Sequence, residues 1–309
     1  MESPVGTRGG VPIVQNGRIV NLGLVVSTLG RAEPLERLLR SLSAQVHPDD
    51  LVILVAQGRV SEIEGLAARF RDDAFSIEVT TSERGASRGR NAGVALLPPG
   101  DRLLHFPNDT TWFPQGSLDA IRAAASILDA GALTVIDEHG PKFSLPGRGT
   151  PLDRWNVWSV IEMGLLMRRS VFDELGGFDP DLGTGASTPW QAGEATDLLL
   201  RLIERRPDLA RSFDWLPADV AIGGIADPAG LSASERRRKL RSYGRGLGRL
   251  VMRHPYPWWW RLAFILGGLA FGLRHRTTNA PADGWWVFLG RAEGALGRTI
   301  GGSTAAVTR

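Results

Sequence analysis

Cysteine is absent from all 309 residues. Disulfides and thiolate metal sites are therefore excluded, and the fold must stand on its core. Also missing is an apolar run long enough to span a bilayer, which takes roughly 20 residues. The longest candidate, Leu262 to Leu273, has 12. The start of the chain lacks the apolar segment of a secretory leader, since Met1 to Gly10 is polar and glycine-rich. A cytoplasmic address is the resulting expectation. Acidic residues are scarce towards the other end. Residues 231–309 hold 14 Lys and Arg against 3 Asp and Glu, net +11, whereas residues 1–230 hold 22 against 30, net −8. Such asymmetry points to an anionic partner surface for the basic segment, membrane or nucleic acid, with a merely solvated helix face as the plain alternative.

What is present is a folded α/β pattern. Hydrophobic residues make up 43% of the chain, enough for a sizeable core. Short apolar runs at 20–27, 51–56, 76–81, 102–106 and 132–136 read as strands. Between them, helices are predicted at 34–45, 63–70 and 117–129, the first with Leu35, Leu38, Leu39 and Leu42 on one face and Pro34 in its first turn. Alternation of this kind predicts a mainly parallel sheet with helices on both faces. Ligands then bind beyond the carboxyl ends of the strands, where Thr28, Gln57 and Asn108–Asp109 fall. The expected division is a flexible tail (1–19), a catalytic domain (20–230) and a basic, Trp-rich helical region (231–309). Residues 138–160, with Trp155 and Trp158, read as a loop over the site.

The richest stretch runs from Met163 to Arg201. A buried strand enters a helix, the helix ends on Gly176–Gly177, and a glycine-rich loop delivers Glu194 and Asp197 to the next helix. Carboxylates there also suit the unpaired N–H groups of a helix N-terminus. Asn108-Asp109-Thr110 makes a second acidic strand end. Together they suggest a phosphate-bearing ligand on one side and a base on the other.

Five pieces in order carry a resemblance: Val25-Val-Ser-Thr28, Gly85-Ala-Ser-Arg-Gly-Arg-Asn-Ala-Gly93, Phe106-Pro-Asn-Asp-Thr-Thr-Trp-Phe-Pro114, Gly176-Gly-Phe-Asp179 and Gly193-Glu-Ala-Thr-Asp-Leu198. Over residues 20–215 the chain resembles the inverting family 2 glycosyltransferases, nucleotide-sugar enzymes with a GT-A fold. The resemblance implies a divalent metal, Mn2+ or Mg2+, at Asp109, which alone remains of the family's acidic signature beside the neutral Asn108. It implies donor contacts at Thr28, Arg31, Glu33, Gln57, Arg88, Arg90, Asn91 and Asn108, although an acid is usual where Gln57 stands. Asn91 has the equal alternative of bracing its loop. The base expected in this family would fall on Ala195, so Glu194, or Asp197 one turn on, is left to act; Glu194 is preferred. Trp190, in the loop 183–193, is the candidate platform for an acceptor sugar, and the loop's glycines would let it close over the donor.

In the C-terminal region, Arg236-Arg-Arg-Lys239, Arg241, Arg245, Arg249 and Arg253 accompany Leu240, Tyr243, Leu247 and Leu250 at helical spacing. Tyr256-Pro-Trp-Trp-Trp260 and Trp285–Trp286 follow. Basic residues beside aromatic and apolar ones predict a helix lying in the membrane interface over 235–290, with a re-entrant hairpin or a dimer contact as alternatives. Gly244, Gly246 and Gly248 follow no strand, which excludes a dinucleotide-binding loop. Nucleic acid is disfavoured because the aromatics form a block apart from the arginines. The expected activity is inverting transfer from a UDP- or dTDP-sugar to a lipid-linked or polysaccharide acceptor at the inner face of the cytoplasmic membrane. The rival is a catalytically weakened homologue acting as a scaffold. A nucleotidyltransferase is a weaker third.

Overall fold

The computed structural model describes residues 21–71, 75–125, 128–224, 231–274 and 279–301. The expected N-terminal tail and the end of the stretch linking the two regions, residues 225–230, lie outside these.

In chain order the first half runs β1 (Leu22–Thr28), α1 (Ala32–Ser43), β2 (Leu51–Ala56), α2 (Val60–Phe70), β3 (Ser76–Thr81), α3 (Ala86–Leu96), β4 (Leu103–His105) and α4 (Ser117–Ala125). β1 and β2 are apolar on both faces because both are covered, Val25, Ile53 and Val55 on one side and Leu24, Val26, Val52 and Leu54 on the other. α1 lays Leu35, Leu38, Leu39 and Leu42 on the sheet at the expected spacing. The main sheet has the order β3-β2-β1-β4-β8-β5-β9. Its first four strands are parallel. β8 (Leu165–Arg168) then runs antiparallel between β4 and β5 (Ala130–Ala132), and β9 (Asp214–Trp215) is parallel to β5. Strand order reverses at β1, so a crevice opens at the carboxyl ends of β1 and β4.

Two sequence expectations change. The strand expected at 132–136 is two strands in two sheets: β5, and β6 (Thr134–Asp137), which joins β7 (Gly140–Pro141) and β10 (Ala221–Gly223). Leu133 makes the crossing, its N–H donating to the Gly164 carbonyl at 2.9 Å. Residues 138–160 do not supply tryptophans to the site. Trp155 stacks on Trp259 with centroids 6.1 Å apart, and Trp158 lies 5.3 Å from Phe264, so both anchor the C-terminal helices.

Downstream come α5 (Arg169–Leu175), α6 (Glu194–Arg205), α7 (Pro207–Arg211), α8 (Ala233–Arg253), α9 (Trp258–Gly267), α10 (Phe271–Arg274) and α11 (Asp283–Leu296). A capping box between Ser232 and Glu235 starts α8. The glycines of α8 are contact points. A Cβ on Gly248 would stand 2.2 Å from the Arg291 carbonyl oxygen, and one on Gly290 2.2 Å from that of Arg241, so α8 and α11 touch backbone to backbone. This pairing encloses two carboxylates. Asp283 accepts from Arg236 and Arg237, and Glu293 accepts from Arg241 and Arg245 at 2.9 and 2.7 Å through Nε. Buried carboxylates need such partners. Four of the region's arginines thus have partners inside it, while its net charge, which already counts both carboxylates, remains +11. No helix among the described residues is long and apolar enough to cross a membrane.

Gly248→Ala is expected to destabilise the protein by about 1–3 kcal/mol through this helix contact. Gly65→Ala, in α2 with nothing within 4 Å of the added carbon, should stabilise it by about 0.5–1 kcal/mol. Denaturant melts of the two variants decide the point; equal midpoints would overturn the contact account.

Candidate active site

At the end of β1, Thr28 Oγ1 accepts the Gly30 N–H at 3.0 Å and donates to Asp109 Oδ2 at 2.8 Å. Arg31, just before α1, donates through Nη2 to Asp109 Oδ1 at 2.5 Å and through Nε to Oδ2 at 3.3 Å. Thr28, Arg31 and Asp109 thus form one unit across the strand crevice, with the carboxylate buried and the guanidinium 58% exposed. Glu33 is exposed in the first turn of α1. Against the expected metal, the residues do not fit a resident ion as they stand. Both Asp109 oxygens are engaged, and among the described residues no group of three His, Asp or Glu side chains is placed to hold a metal ion. A hard divalent cation takes about six oxygen ligands.

Beside this unit Arg90 forms a second. α3 approaches the sheet closely because Gly89 and Gly93 face it: a Cβ on either would fall 2.3 Å from Ser27 or Val25. Arg90 is consequently 3% exposed. Its Nη1 reaches Glu194 Oε1 at 3.1 Å, and its Nη2 reaches Asn108 Oδ1 at 3.0 Å and Glu162 Oε1 at 3.6 Å. Asn108 Nδ2 donates to the same Glu162 oxygen at 3.1 Å. Burial raises the Glu194 carboxyl above the ordinary range and the Glu162 charge adds to this, while Arg90 opposes both. Glu162 is held in place from the sheet. Burial pushes His105 down to about 4, so its neutral ring can donate Nε2–H to the Met163 carbonyl at 2.7 Å.

Several other expected donor residues brace loops. Gln57 Nε2 lies within hydrogen-bond distance of Ser82 Oγ and the carbonyls of Glu83 and Gly85. Asn91 exchanges two hydrogen bonds with the Phe178 backbone, at 2.8 and 3.0 Å, which is the bracing alternative. Arg88 pairs with Glu83 at 3.0 Å. The loop 183–193 is tied down as well: Ser87 Oγ donates to the Leu182 carbonyl, the Ala86 N–H to Thr184, and Gln191 bonds Gly185 and Ala186. Gly183 has φ 104° and lies so near Glu194 that a Cβ would meet its carboxyl carbon at 2.9 Å. Trp190 is half-buried beneath α8, its ring 5.7 Å from the Arg249 guanidinium carbon.

Asp197 belongs to a different cluster. Its Oδ2 accepts from Arg201 at 2.9 Å, its Oδ1 lies 3.0 Å from His254 Nε2, and His254 Nδ1 reaches Glu204 at 2.8 Å. Burial works to raise the Asp197 carboxyl, but the His254 hydrogen bond and Arg201 outweigh it and hold the group below the ordinary value. With both oxygens taken, Asp197 ties α6 to the end of α8. Sequence reasoning missed His254 and Glu162. The one signal available for Glu162 was an acid directly preceding a buried strand.

No protein-family profile matches the sequence, and no curated protein does. Solved structures do match in shape. Residues 1–349 of TarS from S. aureus superpose with TM-score 0.56 at 12% identity, over 90% of this chain and 92% of that one. The same TarS segment with UDP-GlcNAc gives 0.56 at 11%. The mannosyltransferase PcManGT from Pyrobaculum calidifontis, in complex with GDP-Man and Mn2+, gives 0.57 at 14%, over 89% and 87%. The chain has the fold of a glycosyltransferase. At these identities the likeness concerns the fold alone.

His254 is the site's most direct link to pH. Burial disfavours its charged form, yet hydrogen bonds to Asp197 and Glu204 raise its pKa above the ordinary 6.5. The cation's stabilising effect is thus complete below the unfolded-state value and disappears as pH rises through the higher folded one. Unfolding free energy should fall across that window, and His254→Ala should remove the fall. A wild-type curve parallel to that of the variant would overturn the assignment.

Proposed function

We propose that the protein is an inverting glycosyltransferase of the family 2 kind. It moves a sugar from a nucleoside diphosphate donor, UDP- or dTDP-linked, to the hydroxyl of a lipid-linked or polysaccharide acceptor. The observation that carries this is the convergence of Thr28, Arg31 and Asp109 with Arg90, Glu162 and Glu194 at the strand crevice of a glycosyltransferase fold. Arginines beside the crevice suit a diphosphate, whose charge grows as it leaves. A carboxylate pair, Glu194 buried and Glu162 partly exposed, suits removal of the acceptor's proton. Metal assistance is the part of the expectation that the side chains fit least, and Arg31 stands where the ion was expected. Ala195, buried and apolar, favours a second reading, a donor-binding partner of another transferase that performs no transfer itself.

Calorimetry with UDP-, dTDP- and GDP-sugars should find a donor that binds without added metal. Arg31→Ala should weaken it at least about tenfold, the loss of one charge-assisted contact. Transfer in the presence of EDTA supports Arg31 as the cation; transfer that requires Mn2+ returns the metal to Asp109. Binding with no transfer to any acceptor supports the partner reading.

We further propose that the protein works at the cytoplasmic membrane face, bound peripherally. Trp259, Leu262, Leu266, Leu269 and Leu273 recur every three or four residues from α9 into α10, with Trp258 beside the first, each between 46% and 76% exposed, and α9 buries none of its residues. Such a stripe on a net basic region suits the interface of an anionic bilayer, with indoles at headgroup depth. Wild-type protein should cosediment with vesicles containing phosphatidylglycerol, and a Trp258→Ala, Leu262→Ala, Leu266→Ala variant should stay in solution with an unchanged melt. A wild-type dimer that this variant dissolves, without vesicle binding, would make the stripe a subunit contact instead.

A further inference from the structure

Position 195 holds alanine, so the acid that receives the acceptor's proton must come from elsewhere in the site. We infer that Glu162 is that residue; the inference rests on the transferase reading above and names the base within it.

Glu162 and Glu194 share Arg90, but they are differently placed. Glu194 is enclosed: its side chain is 9% exposed, its Oε1 receives Arg90, and Gly183 closes over its carboxyl. Glu162 is 26% exposed. Both of its contacts, from Asn108 and Arg90, fall on Oε1, and among the described residues no hydrogen bond or ion pair engages Oε2. One oxygen is anchored while the other is open, the arrangement a general base needs. The anchor also sets its location. Asn108 precedes Asp109 in the chain, so Glu162 stands beside the Arg31–Asp109 unit, where the donor's diphosphate is placed. His105 fixes the turn on which Glu162 rides by bonding the next carbonyl. Glu194 then acts as a positioning residue, holding the Arg90 charge that orients Glu162 and Asn108.

In the step, the acceptor oxygen bonds to the anomeric carbon. The bond from that carbon to the diphosphate oxygen breaks, its electron pair leaving with the diphosphate. The hydroxyl proton passes to Glu162 Oε2.

Glu162→Gln tests this, because the amide carbonyl still accepts from Asn108 but takes no proton. Its kcat should fall by about 10²–10⁴-fold, with donor affinity by calorimetry within about threefold of wild type. Glu162→Asp should recover at least about tenfold over Glu162→Gln, since it restores a carboxylate, though on a side chain one methylene shorter. A Glu162→Gln enzyme with kcat near wild type, or one whose loss lies in donor affinity, overturns the assignment and leaves the transferase reading standing. A wild-type protein that binds no nucleotide sugar overturns both.

Discussion

The buried guanidinium of Arg90 is the interaction on which the site depends. A cation that is 3% exposed survives only among acceptors, and Arg90 finds them on three segments other than its own. It comes from α3, Glu194 starts α6, Asn108 follows β4, and Glu162 precedes β8. Remove the charge and two carboxylates face each other in a poorly hydrated crevice, where like charges cost most. The glycines of the 85–93 run gain their meaning here. Gly89 and Gly93 bring α3 within contact of β1, and that approach, more than any phosphate-cradling turn, sets the depth of Arg90.

α8 extends the same logic to the C-terminal region, which closes the site from above. Gly246 lets α8 meet the backbone of Ala192, where a Cβ would fall 2.2 Å from the carbonyl oxygen, and Leu250 presses on Gly193 at the start of α6. Arg249 covers Trp190, Arg253 pairs with Asp179 at 2.6 Å, and His254 reaches Asp197. The loop that presents Glu194 is therefore fixed on one side by α3 and on the other by α8. α8 is in turn stiffened by α11 through paired glycines and the buried Glu293. Rigidity passes from a helix pair distant in sequence to the carboxylate that orients Arg90.

The parts legible in the sequence are those dictated locally. Apolar runs gave β1 to β4, the leucine spacing gave α1, and Gly176–Gly177, at φ 81° and 70°, ends α5 as read. Asp109, after β4, and Glu194, at the start of α6, also stand where the pattern of elements puts them. Pairings between distant residues were not. Arg31 and Asp109 are 78 residues apart, and His254 and Asp197 are 57 apart, so no spacing rule joins them. Composition shows an excess of charge but not its interior partners, as with the arginines of α8 around Asp283 and Glu293. The same holds for the run 132–136, whose hydrophobicity is uniform although Leu133 hands the chain from one sheet to another.

Two of the departures from the glycosyltransferase pattern, Asn108 and Ala195, make sense together as one electrostatic change. Each replaces an expected acid by a neutral residue. The carboxylates left in the crevice are Asp109, Glu162 and Glu194, set against Arg31 and Arg90. With the two extra acids the local charge would be strongly negative, and a diphosphate would enter only with a divalent ion to offset it. Without them the two arginines nearly balance the three acids, and a guanidinium already stands beside Asp109. Asn108 also turns from a metal ligand into a connector, accepting from Arg90 and donating to Glu162, a role an ionised aspartate cannot fill because it has no hydrogen to give. The loss of one acid thereby creates the anchor for another.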